Sequence, residues 1–278
     1  MLLSQFSLTR LALAALLALL VVGSAYRFRL LTRSGAVAAF ALGLVVFGFG
    51  GWNWALILIG FFISSSGLSL LFKKKKKFAD KMYAKGSRRD AGQVLANGGV
   101  AGAIALVSVM FPDSIIPWIC FCSALAAANA DTWATELGIL NHKPPVMVLT
   151  GRPVEPGTSG AVSLVGTLAA TAGAALIGLL AWLVNPMGEV MSEGLWQIGL
   201  VLITGVAGSF VDSIFGATVQ AIYTCPNCKK ETEQHPLHDC GKSTTIVRGW
   251  NWLNNDLVNF ACTLSSSVLA LILLQIIR

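Results

Sequence analysis

The sequence predicts an all-α protein, a polytopic helical membrane bundle of about eight spans with a small cytoplasmic loop of zinc-knuckle character. Three observations predict it. Of 278 residues, 55% are hydrophobic and only 12% are charged, and the mean hydropathy of +0.72 lies well outside the range of a soluble globular domain. The apolar residues fall into successive runs of about 20, the length that crosses a hydrocarbon core. The net charge of +7 concentrates in the connections between those runs, which is a topology signal toward anionic lipid headgroups and not a nucleic-acid footprint. The expectation is one integral-membrane domain over residues 1–278, surrounded by membrane lipids, with a Cys/His insert over 224–250.

Residues 11–22 form the first apolar run. Gly23-Ser24-Ala25 would suit a signal-peptide cleavage site, but more positive charge follows the run (Arg27, Arg29, Arg33) than precedes it (Arg10). The positive-inside rule therefore makes it a first span with its N-terminus outside. Runs 34–49 and 52–72 are joined by Gly50-Gly51 and read as an antiparallel helical hairpin. Five lysines from Lys73 to Lys77, then Lys81, Lys85, Arg88 and Arg89, form a solvated anchor that holds the next connection in the cytoplasm, where it could also attract anionic substrate.

Asp90, Gln93 and Asn97 share one helix face, and Gly98, Gly99 and Gly102 allow close helix approach. The fifth run, 115–140, ends in Asn129-Ala-Asp-Thr-Trp-Ala-Thr-Glu-Leu-Gly138. Carboxylates at that depth, Asp131 and Glu136, cost several kcal/mol (about 3 each) unless paired, hydrated or bound to a cation, so they read as functional. They are five residues apart, which on a regular helix separates them by about 140°. Either the helix breaks near Gly138 or only one of them faces a site.

The connection 142–160 is rich in proline and glycine, so no helix runs through it. Run 161–184 follows, then a connection bearing Glu189 and Glu193 without Lys or Arg, as an outer loop should. Run 195–223, a basic loop to residue 255 and run 257–277 complete the chain. Every Lys/Arg-rich connection then falls on one side of the membrane, the cytoplasmic side.

On that topology five polar clusters share one face. Ser209, Asp212, Ser213, Gly216 and Gln220 follow helical spacing and form a polar stripe on an apolar helix, which faces a bundle interior or wet cavity. Asn254-Asn-Asp-Leu-Val-Asn259 opens the last span; one asparagine suits a helix N-cap, and Asn255, Asp256 and Asn259 can line a cavity. Asp131, Glu136, Asp212 and Asp256 thus supply hard oxygen ligands from three spans, and Asp131, Asp212 and Asp256 fit magnesium, which takes one or two carboxylates plus phosphate oxygens. In the loop from Thr150 to Gly160, glycine amides, a helix N-terminus and Arg152 favour a phosphate.

The cysteines divide in two. Cys120, Cys122 and Cys262 lie in apolar runs as small core residues. Cys225-Pro-Asn-Cys228 followed by His238-Asp-Cys240 has the spacing of a closed structural zinc site, with His235 as the substitute ligand.

Four stretches, Ala130-Asp-Thr-Trp-Ala-Thr-Glu136, Pro153 to Gly160, Gly208 to Gln220 and Asn254 to Asn259, together resemble the DUF92 membrane family, which includes phytyl-phosphate kinases. The resemblance implies a membrane-embedded isoprenoid-phosphate kinase, an enzyme that transfers a phosphoryl group from a nucleoside triphosphate, apparently CTP, to an isoprenoid monophosphate at the cytoplasmic face. On that reading Asp131, Glu136, Asp212 and Asp256 are the candidate catalytic residues, with Mg2+ held by Asp131, Asp212 and Asp256. Asn97, Asn129, Arg152, Gly157, Thr158, Gly160, Ser209, Gln220, Asn255 and Asn259 are the candidate substrate- or phosphate-binding residues on that reading. A CTP-dependent lipid cytidylyltransferase and a transporter or lipid translocase are the competing readings, since fold and motif alone do not fix a reaction. Without a transit peptide, the expected location is the cell membrane.

Overall fold

The computed structural model describes residues 8–76, 88–187 and 194–277, in which eight helices occupy the eight apolar runs. These are α1 (Leu8–Arg27), α2 (Arg33–Val45), α3 (Trp52–Lys76), α4 (Ala91–Ser108), α5 (Ile116–Gly138), α6 (Leu164–Leu183), α7 (Leu195–Thr218) and α8 (Asn255–Ile277). Six of them, counting α2 together with its continuation to Gly50, are long and apolar enough to cross a membrane. The other two are α1, whose apolar part is shorter, and α5. The expected basic anchor and the acidic connection both lie partly outside the described residues, Glu189 and Glu193 among those outside.

Helix α5 is the axis of the fold. It is buried continuously from Pro117 to Ala130, enclosed by α3, α4, α6, α7 and α8. An apolar helix buried all round needs small residues to let neighbours approach, and its alanines supply them. A Cβ on Gly205 of α7 would lie 2.8 Å from the Ala126 methyl, and one on Gly208 would lie 2.7 Å from that of Ala127. Hydroxyls then fasten α8 to α5: Ser266 donates to the Ser123 carbonyl at 2.8 Å and Ser267 to that of Cys120 at 2.9 Å. In a lipid-facing bundle, where apolar burial drives little association, such bonds contribute about 0.6–2 kcal/mol each.

The expected hairpin between the second and third runs is replaced by a different arrangement. A π-helical turn, Val46–Gly50, and Gly51 at φ 85° redirect the chain. Helix α2 then packs on α1 and α4, seating Leu42 against Gly98 and Gly102, while α3 packs on α5 and α6. An apolar slot lies between α2 and α3.

Two loops carry short strands. Antiparallel β1 (Val146–Met147) and β2 (Ala161–Val162) tie the ends of the loop that precedes α6. Strands β3 (Ile222–Cys225), β4 (Lys230–Thr232) and β5 (Thr245–Arg248) make an antiparallel sheet of order β4-β3-β5 between α7 and α8. It is fixed to the bundle by Arg248, whose guanidinium donates to the Gly216 carbonyl at 3.0 Å and that of Ala217 at 3.1 Å. Those carbonyls are the open end of α7, where a cation is favoured.

Candidate functional site

Helices α3, α5 and α7 end, and α4, α6 and α8 begin, at one end of the bundle, where their polar residues surround a cavity of about 760 Å³. All four expected carboxylates line it: Asp131, Glu136, Asp212 and Asp256. Glu233 and Asp239, from the sheet region between α7 and α8, add two more, against the cations Arg89 and Lys143. A cavity with that excess of negative charge attracts cations first, and holds a polyphosphate only together with them.

Helix α5 stays regular to Gly138, and both of its carboxylates still reach the cavity, so neither expected resolution of their angular separation applies. The cavity is wide enough for each to occupy its own wall. Asp131 faces α7, close enough for its charge to act on Asp212, as that of Glu233 also does. Glu136 faces α3 and α4: its Oε1 accepts from Ser69 at 2.6 Å, and Arg89 feels its charge. Asp212 Oδ2 is buried without a hydrogen-bond partner among the described residues. A buried carboxylate oxygen left so is costly unless a cation or water completes it.

At the start of α8, Asn254 is the N-cap, its Oδ1 accepting from the Leu257 amide at 3.1 Å, and Asn255, Asp256 and Asn259 line the cavity. Asn97, Gly157, Thr158, Gly160 and Ser209 line it too. Gly160, at φ 84°, is set by packing: a Cβ there would lie 2.3 Å from the Ala217 nitrogen, so the loop rests directly on the end of α7.

Three expected substrate residues lie outside the cavity wall. Asn129 is fully buried, accepting from Ser64 at 2.9 Å and donating to the Gly173 carbonyl at 2.8 Å, which makes it interhelical glue. Gln220, past the end of α7, accepts from Ser159 at 2.9 Å and donates to Glu233 at 2.8 Å, so it holds the loop and the sheet region together. Arg152 is exposed on the β1–β2 loop, away from the cavity.

The cation that sequence reasoning missed is Arg89. Far from being a solvated anchor, it turns inward, donates to Ser65 Oγ at 3.1 Å and lies 5.8 Å and 6.0 Å from the ring centres of Phe61 and Phe62. Burial lowers its pKa and Glu136 opposes that shift. Its position immediately before the Asp90 capping box, which closes with Gln93 at the start of α4, was the available signal, masked by the lysines upstream.

Above the cavity, Cys225, Cys228, His238 and Cys240 converge with all their ligand atoms within 4.8 Å of one another, a group that could hold a metal ion. Lys229, at φ 52°, closes the first turn by donating its backbone N–H to the Cys225 carbonyl, and Gly241, at φ 77°, closes the second by donating to that of His238. Separations of 3.4 Å between the Cys225 and Cys240 sulfurs and 3.3 Å from His238 Nδ1 to Cys240 are near the roughly 3.8 Å edges of a tetrahedron with ~2.3 Å bonds. Hydrogen bonding, first with His238, draws the Cys240 thiol down to about 6, while bonding to Cys240 is the main cause that pushes Cys228 up to about 11. The negative charge so gathered at Cys240 is what a metal cation would neutralise. His235, the substitute ligand, is elsewhere: it stacks on Tyr223 at 4.4 Å between ring centres and lines the cavity.

A family model described as "Integral membrane protein DUF92" matches residues 16–267. "Protein PGR" of Arabidopsis thaliana is 30% identical over 282 residues, 94% of each chain. An uncharacterized membrane protein of Methanocaldococcus jannaschii is 35% identical over 190 residues, 68% of this chain and 74% of that one. "Protein VTE6, chloroplastic" of Arabidopsis thaliana is 23% identical over 270 residues, 96% of this chain and 72% of that one. No solved structure matches.

Proposed function

The chain belongs to the DUF92 integral membrane family, and from that premise we propose that it is a multi-pass isoprenoid-phosphate kinase. In this reading the terminal phosphoryl group of a nucleoside triphosphate, CTP by the family resemblance, passes to a phosphate oxygen of an isoprenoid monophosphate. The nucleoside diphosphate leaves. The observation that carries the reading is Asp212 Oδ2, buried without a hydrogen-bond partner among the described residues in an acidic cavity that Asp131 and Asp256 also line. Those three carboxylates would hold Mg2+, which supplies neutralisation of phosphate charge. Phosphoryl transfer asks the protein chiefly to position groups and balance charge. Arg89 and Lys143, together with Gly157 and Thr158 of the loop before α6, supply the donors for phosphate oxygens.

Cavity placement at one end of the bundle, and not at its midplane, favours an enzyme over a transporter. In this reading that end faces the cytoplasm and the N-terminus lies outside, as the positive-inside rule applied to the polybasic connection supports. Zinc at Cys225, Cys228, His238 and Cys240 would be structural, since four protein ligands leave no open position. It would hold Glu233, His235 and Asp239 over the cavity.

The test incubates purified protein with Mg2+, each nucleoside triphosphate and a panel of isoprenoid monophosphates, with products identified by mass spectrometry. Isoprenoid diphosphate from wild type and not from Asp131→Asn is expected. A CDP-lipid with released pyrophosphate would reassign the protein to cytidylyltransfer, and no product from folded protein with any pair would overturn the reading.

A further inference from the structure

One part of the cavity wall is a fixed aromatic surface. The His235 imidazole stacks on the Tyr223 ring with centres 4.4 Å apart and planes 12° from parallel, and both residues line the cavity. Tyr223 is buried, and its hydroxyl donates to Asn251 Oδ1 at 2.7 Å. The segment that carries His235 is pinned by the buried Thr244, whose hydroxyl donates to the Gln234 carbonyl at 3.0 Å and lies 3.4 Å from His235 Nδ1. Tyr223 covers one face of the imidazole, and His235 is nonetheless exposed, so its other face is open. A planar ring held in place with one face open is what a flat ligand stacks on, and histidine serves in that way beside phenylalanine, tyrosine and tryptophan.

The neighbours of this ring say which part of a substrate suits it. Glu233 and Asp239 flank His235 in the chain and also line the cavity, so this stretch of wall repels phosphate. The cavity's cations, Arg89 and Lys143, come from the start of α4 and from beyond the end of α5. A hydrocarbon chain fits no better, since it would strip water from Gln234, Asn251 and Asn254, which line the cavity beside the stacked pair or at the start of α8. An uncharged aromatic ring with polar edges meets both conditions. Asn251 and Asn254 are oriented for such an edge: the Oδ1 of the first accepts from Tyr223 and that of the second caps α8, so each turns its NH2 group to any ligand as a donor.

From this juxtaposition we propose that the nucleobase of the nucleoside triphosphate stacks on the open face of His235, with Asn251 and Asn254 donating to acceptor atoms on its edge. The proposal rests on the kinase reading for the presence of a nucleotide and adds where its base lies. The triphosphate then extends from the Cys/His insert toward the carboxylate-held cation, Arg89 and Lys143. His235 thereby acquires a role that metal ligation does not give it, since it stands apart from the four convergent ligands.

The experiment measures equilibrium binding of CTP and of inorganic tripolyphosphate to the full chain in lipid nanodiscs, with Mg2+ and without isoprenoid phosphate, by calorimetry. Wild type should bind CTP about ten- to a hundredfold more tightly than tripolyphosphate, the effect of one base stacked on an aromatic ring. His235→Ala should abolish that preference and leave tripolyphosphate affinity unchanged, whereas His235→Phe, which keeps a π face, should preserve it. Metal content of the Cys/His group at the wild-type level in both variants is the check of folding. Undiminished CTP preference in His235→Ala, or equal loss of affinity for both ligands, would overturn the proposal, the second by showing that the stack only shapes the wall. A base-dependent preference carried by His235 in a protein that transfers no phosphoryl group would leave the base site standing and remove the kinase reading alone. Phosphoryl transfer by His235→Ala with an unchanged KM for CTP would do the reverse.

Discussion

Gly160→Ala tests how closely the loop before α6 is moulded onto α7. The backbone at Gly160 has φ 84°, where an L-residue costs about 1–2 kcal/mol. The added methyl would lie 2.3 Å from the Ala217 nitrogen, 2.5 Å from its Cα and 2.6 Å from its Cβ. These are backbone and Cβ atoms that no rotamer change can move, and relaxed contact needs about 3.5 Å, so loop and helix must separate by about 1 Å. Overpacking of that kind adds about 1–3 kcal/mol, for a total near 2–5 kcal/mol. Gly151 is the matched control: its φ of 64° carries similar strain, but nothing lies within 4 Å of its Cβ position. Stability would be measured by detergent-titrated unfolding, where Gly151→Ala should lose only the ~1–2 kcal/mol of strain. Activity separates them further, because a displacement of about 1 Å in a site-lining loop costs on the order of 100-fold in rate. Equal stability and activity losses for the two variants would refute the packing argument.

Asp212→Asn should lower the proposed phosphoryl transfer by roughly 100- to 1,000-fold without loss of stability, since it removes a buried charge that a bound cation would compensate. Elemental analysis should find metal lost from Cys228→Ser and retained in His235→Ala, because His238 and not His235 converges with the three thiols. Retention by Cys228→Ser would remove that residue from the site. Arg248→Ala should loosen the sheet from α7 by about 1.5 kcal/mol, seen as roughly tenfold less amide-exchange protection across Ile222–Cys225. Protection unchanged from wild type would mean that other contacts, such as the Trp250 amide donating to the Val219 carbonyl at 2.9 Å, dock the sheet without it.

Much of this protein follows from local chemistry written along the chain. Apolar runs of span length specify eight helices because an unsatisfied backbone in lipid is prohibitively costly, so the helix count needs no tertiary information. Lys and Arg concentrated in alternate connections predict that the polar ends of α3 to α8 share one side, which is why Asp131, Asp212, Asp256 and Asn259 could be grouped before any coordinates. The Cys-x2-Cys and His-x-Cys spacings likewise carry a ligand group on their own.

Partner choice was decided only by three-dimensional packing. Asn129 and Gln220 have the composition of site residues, and their amides are consumed by Ser64, Gly173, Ser159 and Glu233, groups 13 to 65 positions away in the chain. Arg89 reads as one more cation in a basic stretch until Phe61, Phe62 and Glu136 surround it. Arg152 reads as a phosphate fork until the β1–β2 ribbon turns it outward. Sequence spacing determines which face of one helix a residue occupies. What that face meets depends on how glycine notches and alanine ridges let the helices pack, and that is a property of the assembled bundle alone.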